Sequence, residues 1–323
     1  MKLQPIPLFP AFRHGKDTPW GGEKLKEIYG KRCQDPHTGE SLEMSVIPGL
    51  NSVDENGMAL RDLIAAYGVL MTGTAVTGEF PLLLKLIDAK EQLSVQVHPD
   101  DAYAKANENK LGKTEAWAIL HAEPGARLVY GIREGTTAAM LREACGKGKE
   151  IEKLLRYVPV RDGDVFYIPS GTVHAIGAGI VLYEIQQSSD VTYRFYDWDR
   201  TDAQGNKRAL HIRQALDVTR LDYQPEAIVP KLLEDAACKR EELLNTPYFR
   251  LERLSDCNQT PFSPAITHFS VVTLLTEGAL ATDGACRSFP AGQTIFIPAD
   301  CVPFTLTCGQ YLISAPAHNE APV

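Results

Sequence analysis

The sequence lacks the cysteine patterns that stabilise small secreted or zinc-finger folds. Its 323 residues include seven cysteines, an odd number, and no two of them have C-x-x-C spacing. This argues against a disulfide framework and against a thiolate zinc finger. The sequence therefore predicts free thiols in a reducing compartment.

Long apolar runs and an excess of positive charge are also missing. No apolar run approaches the roughly 18 residues that a membrane span needs, and residues 1–16 lack the apolar core of a signal peptide. The formal net charge is −8, whereas nucleic-acid binding needs clustered Lys and Arg. We expect a cytoplasmic protein that binds neither membrane nor nucleic acid. A small anionic ligand is still allowed, because a few local cations suffice to hold one phosphate.

Short strand-like segments dominate what is present. Hydrophobic residues make up 44% of the chain and charged residues 23%, an ordinary globular composition, and 25 glycines and 21 prolines separate the segments. Many short strands between turns predict a mainly β fold of sandwich or barrel type. The predicted strands are 42–47, 80–88, 93–97, 126–132, 164–169, 179–187, 191–198, 268–277, 293–299 and 303–308.

Helical spacing is confined to two places. Apolar residues recur at i, i+3, i+4 and i+7 over 60–67 and again over 151–158. With Thr136 as a cap, the second pattern predicts a small helical insertion at about 136–158. The charged stretch 231–243 separates two β-rich regions and is read as a connecting segment.

An internal repeat divides the chain into two units. The segment 163–170 (GDVFYIPS) is echoed by 292–299 (GQTIFIPA), at a constant offset of 129 residues (292 − 163). We interpret this as two related β-barrels, a catalytic domain over 1–230 and a degenerate one over 231–323. Five residues after the shared proline, the first copy has His174 and the second has Pro303, so we expect the function in the first barrel.

Polar side chains along one predicted strand indicate a metal site. Alternation over 93–98 places Ser94, Gln96 and His98 on one face, opposite three apolar residues. An unpaired buried polar group costs about 1–3 kcal/mol, so something should satisfy this face. With Glu115 and His174, the set offers two nitrogens and two oxygens, which suits zinc or a similar divalent ion.

Each member of this set also has an ordinary interpretation. A histidine at a strand end is more often a hydrogen-bonded core or surface residue, Glu115 alone is more often a solvated charge, and Gln96 can simply bond the backbone. The prediction depends on the combination, since all four residues belong to the same β-rich half.

The motifs together resemble a known family. The stretches FPLLLKLIDAKEQLSVQVHPDD (80–101), GKTEAW (112–117), YIPSGTVHAIG (167–177) and EIQQSSDVTYRFYDWDR (184–200) resemble the type I phosphomannose isomerases, in their short bacterial form. PWGG (19–22) and GESLEMS (39–45) add to the likeness. The specific motifs span about residues 18–200, and the remainder fits loosely as a second barrel. The resemblance implies two cupin-type, jelly-roll barrels, the first of which carries one zinc ion.

The resemblance also implies roles for individual residues. It places the zinc on His98, Glu115 and His174, with Gln96 as a less firm fourth ligand. The catalytic arginine falls on Arg194, beside an active-site lysine at Lys113 and an active-site glutamate at Glu184. Alternation places Arg194 on one strand face with Thr192 and Tyr196, and Glu184 on one face with Leu182 and Gln186. Further candidates for the substrate pocket are Ser94, Lys85, Arg200, Trp20 and Glu43.

Two departures from the family pattern stand out. The longer members have a Y-x-D-x-N-H-K-P-E string, of which only the Lys113-x-Glu115 core survives here. The tryptophan of the G-E-S-W-E string is Leu42 in this chain. The large helical domain of the longer members is reduced to the insertion at 136–158.

The implied activity is a zinc-dependent aldose-ketose isomerisation between mannose 6-phosphate and fructose 6-phosphate through a cis-enediol. The general base is left open, and no obligate protein partner is expected. One alternative is an iron-dependent oxygenase on the same two-His, one-carboxylate set. Others are an isomerase of the glucose 6-phosphate type and a non-catalytic sugar-binding cupin.

Overall fold

The protein, seen in a computed structural model that describes residues 2–202, 204–283 and 285–317, is built mainly of antiparallel strands. In chain order the strands up to residue 200 are β1 (Ile6–Leu8), β2 (Ala11–His14), β3 (Thr38–Met44), β4 (Leu82–Ala89), β5 (Val95–Val97), β6 (Glu115–Ala122), β7 (Arg127–Ile132), β8 (Leu155–Pro159), β9 (Val165–Ile168), β10 (His174–Ala175), β11 (Ile180–Gln187) and β12 (Tyr193–Tyr196). Those that follow are β13 (Ala227–Ile228), β14 (Lys231–Leu233), β15 (Lys239–Asn245), β16 (Phe249–Ser255), β17 (Thr260–Phe262), β18 (Ser270–Leu274), β19 (Gly278–Thr282), β20 (Ala285–Phe289), β21 (Thr294–Ile297), β22 (Phe304–Thr307) and β23 (Tyr311–Pro316).

The helices are short and lie between the strands. They are α1 (Lys24–Tyr29), α2 (Leu60–Tyr67), α3 (Val69–Thr72), α4 (Asp101–Glu108), α5 (Ala138–Ala144) and α6 (Ile212–Val218), with 3-10 turns at Gly15–Asp17 and Gly148–Leu154. Within the described ranges, none of them has both the length and the apolar character needed to cross a bilayer.

The strands form four sheets. Sheet I has the order β13-β9-β6-β11-β4-β3-β2, sheet II the order β12-β5-β10-β7-β8, sheet III the order β1-β21-β18-β23-β16-β15-β14, and sheet IV the order β17-β22-β19-β20. Over the described residues every sheet is open, with an edge strand at each end, so none closes into a barrel by its own strand pairing.

The four sheets stack as layers in the order II, I, III, IV. Apolar side chains of sheets I and II meet in one core cluster, which includes Trp117 and Tyr130. The opposite face of sheet I packs on sheet III, where Tyr183 lies in the same cluster as Phe249. Sheets III and IV share a further cluster. Helices α5 and α6 cover the outer face of sheet II.

Sheets I and III have equivalent topologies, which extends the repeat seen in the sequence. Strand β9 begins and ends 129 residues before β21, the offset of the sequence echo. Each of these strands lies second in its sheet, beside a two- or three-residue edge strand taken from a distant part of the chain. For sheet III this edge strand is β1, from the N-terminus. The division at residue 230 stays a prediction.

The helical expectations hold at one place and fail in part at the other. The pattern over 60–67 is confirmed as α2, whose Leu60 and Leu63 are buried. The pattern over 151–158 is wrong beyond Leu154, because strand β8 follows and its Val158 pairs with Leu128. The insertion contains α5, capped by Thr137 through the amide of Met140 rather than by Thr136. Residues 231–243 form strands β14 and part of β15 instead of a plain connection.

Candidate metal centre and substrate cavity

Three strands bring two histidines and one glutamate to a single buried point. His98 follows β5, Glu115 begins β6, and His174 begins β10, which pairs with β5. One donor atom from each lies within 4.8 Å of the others. Nε2 of His174 is 3.2 Å from Oε1 of Glu115, and Nε2 of His98 is 3.5 Å from Oε2. The structure therefore assembles these three sequence-predicted ligands without any rearrangement.

Backbone carbonyls fix the protonation of both imidazole rings. Nδ1 of His98 lies 2.9 Å from the carbonyl oxygen of Val191, and Nδ1 of His174 lies 2.9 Å from that of Thr172. A carbonyl can only accept, so each Nδ1 carries the proton and donates it. In the neutral rings the Nε2 lone pairs then point toward Glu115. This is the arrangement in which metal-ligating histidines are oriented by a partner on their other nitrogen.

Several buried donor atoms of this cluster have no hydrogen-bond partner among the described residues. Nε2 of His98 and both carboxylate oxygens of Glu115 are buried with no hydrogen bond of acceptable geometry. Burial and the charge of Lys113 lower the pKa of His98 well below its ordinary value of 6.5. Burial alone would raise the pKa of Glu115, but Lys113, 2.9 Å away, and the two imidazoles hold it well below its usual range. A neutral imidazole and an ionised carboxylate are the forms that bind a divalent metal, so these residues fit one.

The predicted alternation is confirmed over residues 94–98 but is wrong at Leu93, which packs between sheets I and II and lines the cavity. Val95 and Val97 are fully buried in the cluster under α6, whereas Ser94 and His98 are buried on the opposite side. Gln96 lies on that side too, with its Nε2 3.3 Å from Nε2 of His174 and its Oε1 3.5 Å from the Ser94 hydroxyl. Gln96 thus touches the centre with its amide nitrogen facing inward.

A polar cavity opens beside the centre. Its space is about 720 Å³ including the open mouth. Lys113 and Gln96 line the cavity and contact residues of the metal cluster, so the cavity adjoins the centre. The polar and charged side chains of the wall are Arg13, Asp17, Glu40, Lys85, Ser94, Gln96, Lys113, Glu184, Ser189, Asp190, Thr192, Arg194 and Arg208.

One wall of the cavity is a row of alternating charges. Nζ of Lys85 lies 2.9 Å from Oε2 of Glu184 and 3.5 Å from Oε1 of Glu40. The indole N–H of Trp117 donates to Oε1 of Glu184 at 3.1 Å, and Arg13 contacts the far oxygen of Glu40 at 3.2 Å. Burial alone would lower the pKa of Lys85, but these two carboxylates raise it above its ordinary value. Lys85 is therefore a fixed ammonium at the cavity wall.

Arg194 faces the cavity, but one expected neighbour does not. Strand β12 is irregular after Arg194, where Arg194 pairs with Gln96 and Tyr196 with Val95. This bulge shifts the alternation by one residue. Thr192 accordingly lines the cavity with Arg194, whereas Tyr196 packs in the apolar cluster on the other side of sheet II. The predicted shared face of Arg194 and Tyr196 is therefore wrong.

Of the remaining predicted pocket residues, two lie away from the cavity. Trp20 and Ser94 line it. Glu43 instead points toward sheet III, where it pairs with Lys31 at 2.6 Å and accepts from Thr294 at 3.0 Å. Arg200 donates to the carbonyl oxygen of Gln92 at 2.7 Å and does not line the cavity.

Sequence reasoning missed five charged residues of the wall: Arg13, Asp17, Glu40, Asp190 and Arg208. The alternation of side chains along β3 could have indicated Glu40. Glu40 and Glu43 are three residues apart, so they face opposite sides of the strand and only one of them can face the cavity. The glutamate that faces the cavity is thus Glu40. Arg13 lies on the edge strand β2 and Arg208 in a loop, where no pattern marks them.

Comparison with known proteins places the chain in a family. A profile of the family described as phosphomannose isomerase type I, catalytic domain, matches residues 16–118. Mannose-6-phosphate isomerase ManA of Bacillus subtilis is 42% identical over 305 residues, covering 92% of this chain and 94% of that protein. The chain belongs to the mannose-6-phosphate isomerase family.

Other members of the mannose-6-phosphate isomerase family agree in sequence and in fold. The mannose-6-phosphate isomerase of Streptococcus mutans serotype c is 38% identical over 283 residues, covering 86% of this chain and 88% of that protein. A crystal structure of the mannose 6-phosphate isomerase from Bacillus subtilis matches with a TM-score of 0.88 at 30% identity, covering 97% of this chain and 99% of that one. The resemblance read from the motifs is therefore confirmed at the level of the family.

Proposed function

We propose that this protein is a zinc-dependent aldose-ketose isomerase that interconverts mannose 6-phosphate and fructose 6-phosphate through a cis-enediol. The observation that carries the proposal is the buried cluster of His98, Glu115 and His174, which adjoins a cavity lined by fixed cations and carboxylates. Family membership supports the substrate pair, since the relatives bear the name mannose-6-phosphate isomerase.

His98, Glu115 and His174 would hold the metal. When bound, zinc supplies a Lewis acid that polarises oxygen atoms of the sugar without redox chemistry. Gln96 joins the ligand set only if its amide turns, because its nitrogen rather than its oxygen now faces His174.

The chain offers two groups that can move a proton at the carbons of the sugar. Glu184 has its carboxylate oriented by Trp117 and by Lys85. Lys113 carries an ammonium at the boundary of the cavity and the metal cluster. A base within hydrogen-bond reach of the transferred proton is what such an isomerisation needs. We assign the proton transfer to this pair of residues.

Arg194 supplies a fixed positive charge to an anionic oxygen of the substrate. Its Nε donates to the Ser94 hydroxyl at 3.2 Å and its Nη1 to the carbonyl oxygen of Ala209 at 3.0 Å. Both partners are neutral, so the guanidinium is oriented without being neutralised. Fixed charges of this kind stabilise developing negative charge at little reorganisation cost.

The remaining expectations belong to the same proposal. Sheets I and II would form one cupin-type unit with the small helical insertion, and sheets III and IV a second unit without a metal site. A domain division near residue 230, a cytoplasmic location and the lack of an obligate protein partner stay predictions of the sequence.

The direct test is turnover. Purified protein is incubated with mannose 6-phosphate, and fructose 6-phosphate is measured with and without a chelator. We expect conversion that the chelator abolishes and added Zn²⁺ restores, together with about one zinc per chain by elemental analysis. Failure to convert mannose 6-phosphate in zinc-loaded protein would refute the activity. Oxygen consumption with bound iron would instead favour the oxygenase alternative.

A further inference from the structure

One end of the cavity carries positive charge that the proposed proton transfer does not use. Arg208 lies in the loop after β12 and lines the cavity together with Arg194. Its Nε and Nη2 each donate to a different oxygen of Asp197 at 2.6 Å. Asp197 is only 5% exposed. A bidentate pair on a buried carboxylate fixes both the position and the orientation of a guanidinium.

The loop that carries Arg208 is tied to β12 at its far end as well. The backbone amide of His211 donates to the carbonyl oxygen of Arg194 at 2.8 Å, and Arg194 in turn holds the carbonyl oxygen of Ala209. Arg208 therefore sits between two anchored points, Asp197 and Ala209. Its place beside Arg194 is set by the fold rather than by the conformation of a free side chain.

Two guanidinium groups held at one place favour an anion. No carboxylate in the described part of the chain lies within ion-pair distance of Arg194, whose hydrogen bonds all go to neutral groups. Burial and then the charge of Arg208 lower the pKa of Arg194, which reports the repulsion between the two. A phosphate placed between the two cations would relieve that repulsion and accept several charge-assisted hydrogen bonds.

Arg200 shows by contrast which arginine faces the substrate. It also contacts Asp197, at 3.2 Å, but its other hydrogen bond goes to the carbonyl oxygen of Gln92. Both arginines border a second cavity on the α5 side of sheet II, but of the two Arg208 alone also lines the substrate cavity. The sequence analysis named Arg200 as a candidate pocket residue, whereas the geometry points to Arg208.

We propose that Arg208, together with Arg194 and the Ser94 hydroxyl, forms the subsite that receives the phosphate group of the sugar phosphate, and that Arg208 is a residue determining specificity for phosphorylated sugars. The inference rests on the proposed function for the identity of the sugar, but the anion site itself stands on the geometry above. Arg208 is a binding residue here and takes no part in moving protons.

The test compares Arg208→Ala and Arg208→Lys with Lys207→Ala in the metal-loaded protein. Lys207 is an exposed neighbour in the same loop that pairs with Asp199 and does not line the substrate cavity, so its loss removes the same formal charge. We expect Arg208→Ala to raise KM for mannose 6-phosphate roughly 10- to 100-fold with little change in kcat, as for one lost charge-assisted contact. Arg208→Lys should fall between the two, since an ammonium keeps the charge but loses the bidentate bond. Lys207→Ala should leave both constants unchanged.

Binding of inorganic phosphate, measured by calorimetry, separates this inference from the proposed activity. We expect wild-type protein to bind phosphate, Arg208→Ala to bind it roughly 10- to 100-fold more weakly and Lys207→Ala to bind it as wild type does. A purely structural role of Arg208 would lower the melting temperature without this selective loss. Equal phosphate affinity in Arg208→Ala and wild type, or a larger loss in Arg200→Ala than in Arg208→Ala, would overturn the inference even if the isomerase assay succeeds. If the assay fails while phosphate binding behaves as expected, only the identity of the sugar is wrong.

Discussion

Sheets I and II, which carry the metal cluster, and sheets III and IV, which do not, differ in chemistry far more than in strand order. In sheet I, Trp117 pairs with Phe166 and Glu184. In sheet III, Val272 pairs with Ile295 and Ile313 in the same relation. Matching these pairs aligns the two sheets residue by residue. In this alignment Glu115 corresponds to Ser270 and Glu184 to Ile313.

The second unit has a cavity at the equivalent place, but among the described residues it has no counterpart of the metal cluster. That cavity is lined by Ser270 and Ile313, at the ladder positions of Glu115 and Glu184. His174 corresponds by the sequence offset to Pro303. The described ranges contain no second group of metal donors there. Among the strands that the structure describes, sheet IV has none at the place that β12, the strand of Arg194, takes in sheet II.

The two units have an ion pair at matching positions with the signs exchanged, and it is buried in the first unit and partly exposed in the second. The ladders place Lys85 of β4 opposite Glu184 and Glu252 of β16 opposite Ile313, and they match Glu40 to Arg240. Glu40 and Lys85 lie 3.5 Å apart, and Arg240 and Glu252 lie 2.8 Å apart. Either strand of the pair can therefore carry the cation, as long as the other carries the anion, because a charge removed from water needs a partner of opposite sign. Each cation also has a second carboxylate, Glu184 at 2.9 Å from Lys85 and Asp235 at 3.9 Å from Arg240, and Glu184 belongs to the proposed proton-transfer pair.

The largest expected difference between the units comes from removing a metal donor. His174→Ala should remove zinc and lower turnover by more than about 100-fold, since even residues that only orient metal ligands cost 10- to 100-fold. The matched change in the second unit is Pro303→Ala, which should change the melting temperature at most. Zinc content by elemental analysis and turnover of mannose 6-phosphate are the measurements. Full zinc content in His174→Ala would show that the ligand assignment is wrong.

The next effect concerns β12, which has no counterpart in the described part of sheet IV. Arg194→Ala should keep zinc and lower kcat/KM by about 10²–10³-fold, the range seen when one fixed donor to developing charge is lost. Thr192, its neighbour on the cavity wall, gives the control Thr192→Val, which should cost far less. A near-normal rate in Arg194→Ala would remove this residue from the mechanism.

The residues changed in these two variants also show which parts of the site could be predicted from the sequence alone. Strand parity and motif spacing were enough to find His98, Glu115 and His174, because each lies on a regular strand or directly at its end. They failed where regularity ends. The bulge in β12 turned Tyr196 to the opposite face, and the loop holding Arg208 is positioned by Asp197, a contact between residues that no local pattern connects.

Part of the strand pattern was predictable for the same physical reason. Alternating apolar residues identify a strand with one buried face, so each of the ten predicted segments overlaps a strand, but the other thirteen of the 23 described strands were not predicted. The helical spacing over 151–158 misled because strand β8 is held by pairing with β7, and long-range pairing overrides a local pattern. Edge strand β1 joins sheet III through contacts almost 290 residues away along the chain (294 − 8 = 286), which no local signal reports.

A smaller effect tests the exchanged ion pair. Lys85→Met leaves two buried carboxylates, Glu40 and Glu184, without their shared cation, so we expect a loss of about 3–5 kcal/mol in the free energy of unfolding and a loss of turnover. Glu252→Gln, in the other unit, should cost only about 1 kcal/mol, because the Arg240 side chain is 39% exposed and solvent screens the pair. Turnover should be unaffected by Glu252→Gln. Chemical denaturation and the isomerase assay measure both, and equal turnover losses in the two variants would mean that the second cavity also contributes to activity.

The smallest effect is a pH dependence of stability that originates in the first unit. Burial alone would raise the pKa of Glu40, but Lys85 and Arg13 hold it below its ordinary value of 4.5. On lowering the pH, Glu40 therefore takes up its proton earlier in the unfolded chain than in the folded one. Its ionised carboxylate stabilises the fold above pH 4.5, and this contribution is lost as the pH falls through the pKa of Glu40 in the folded protein. Glu40→Gln should lower the free energy of unfolding at pH 7, and the difference from wild type should narrow steadily below pH 4.5. The exposed Glu79→Gln is the control and should follow the wild-type curve. If the difference in free energy of unfolding between Glu40→Gln and wild type stays constant with pH, Glu40 contributes through packing rather than charge. The opposite signs of the ion pairs in the two units would then have no energetic meaning.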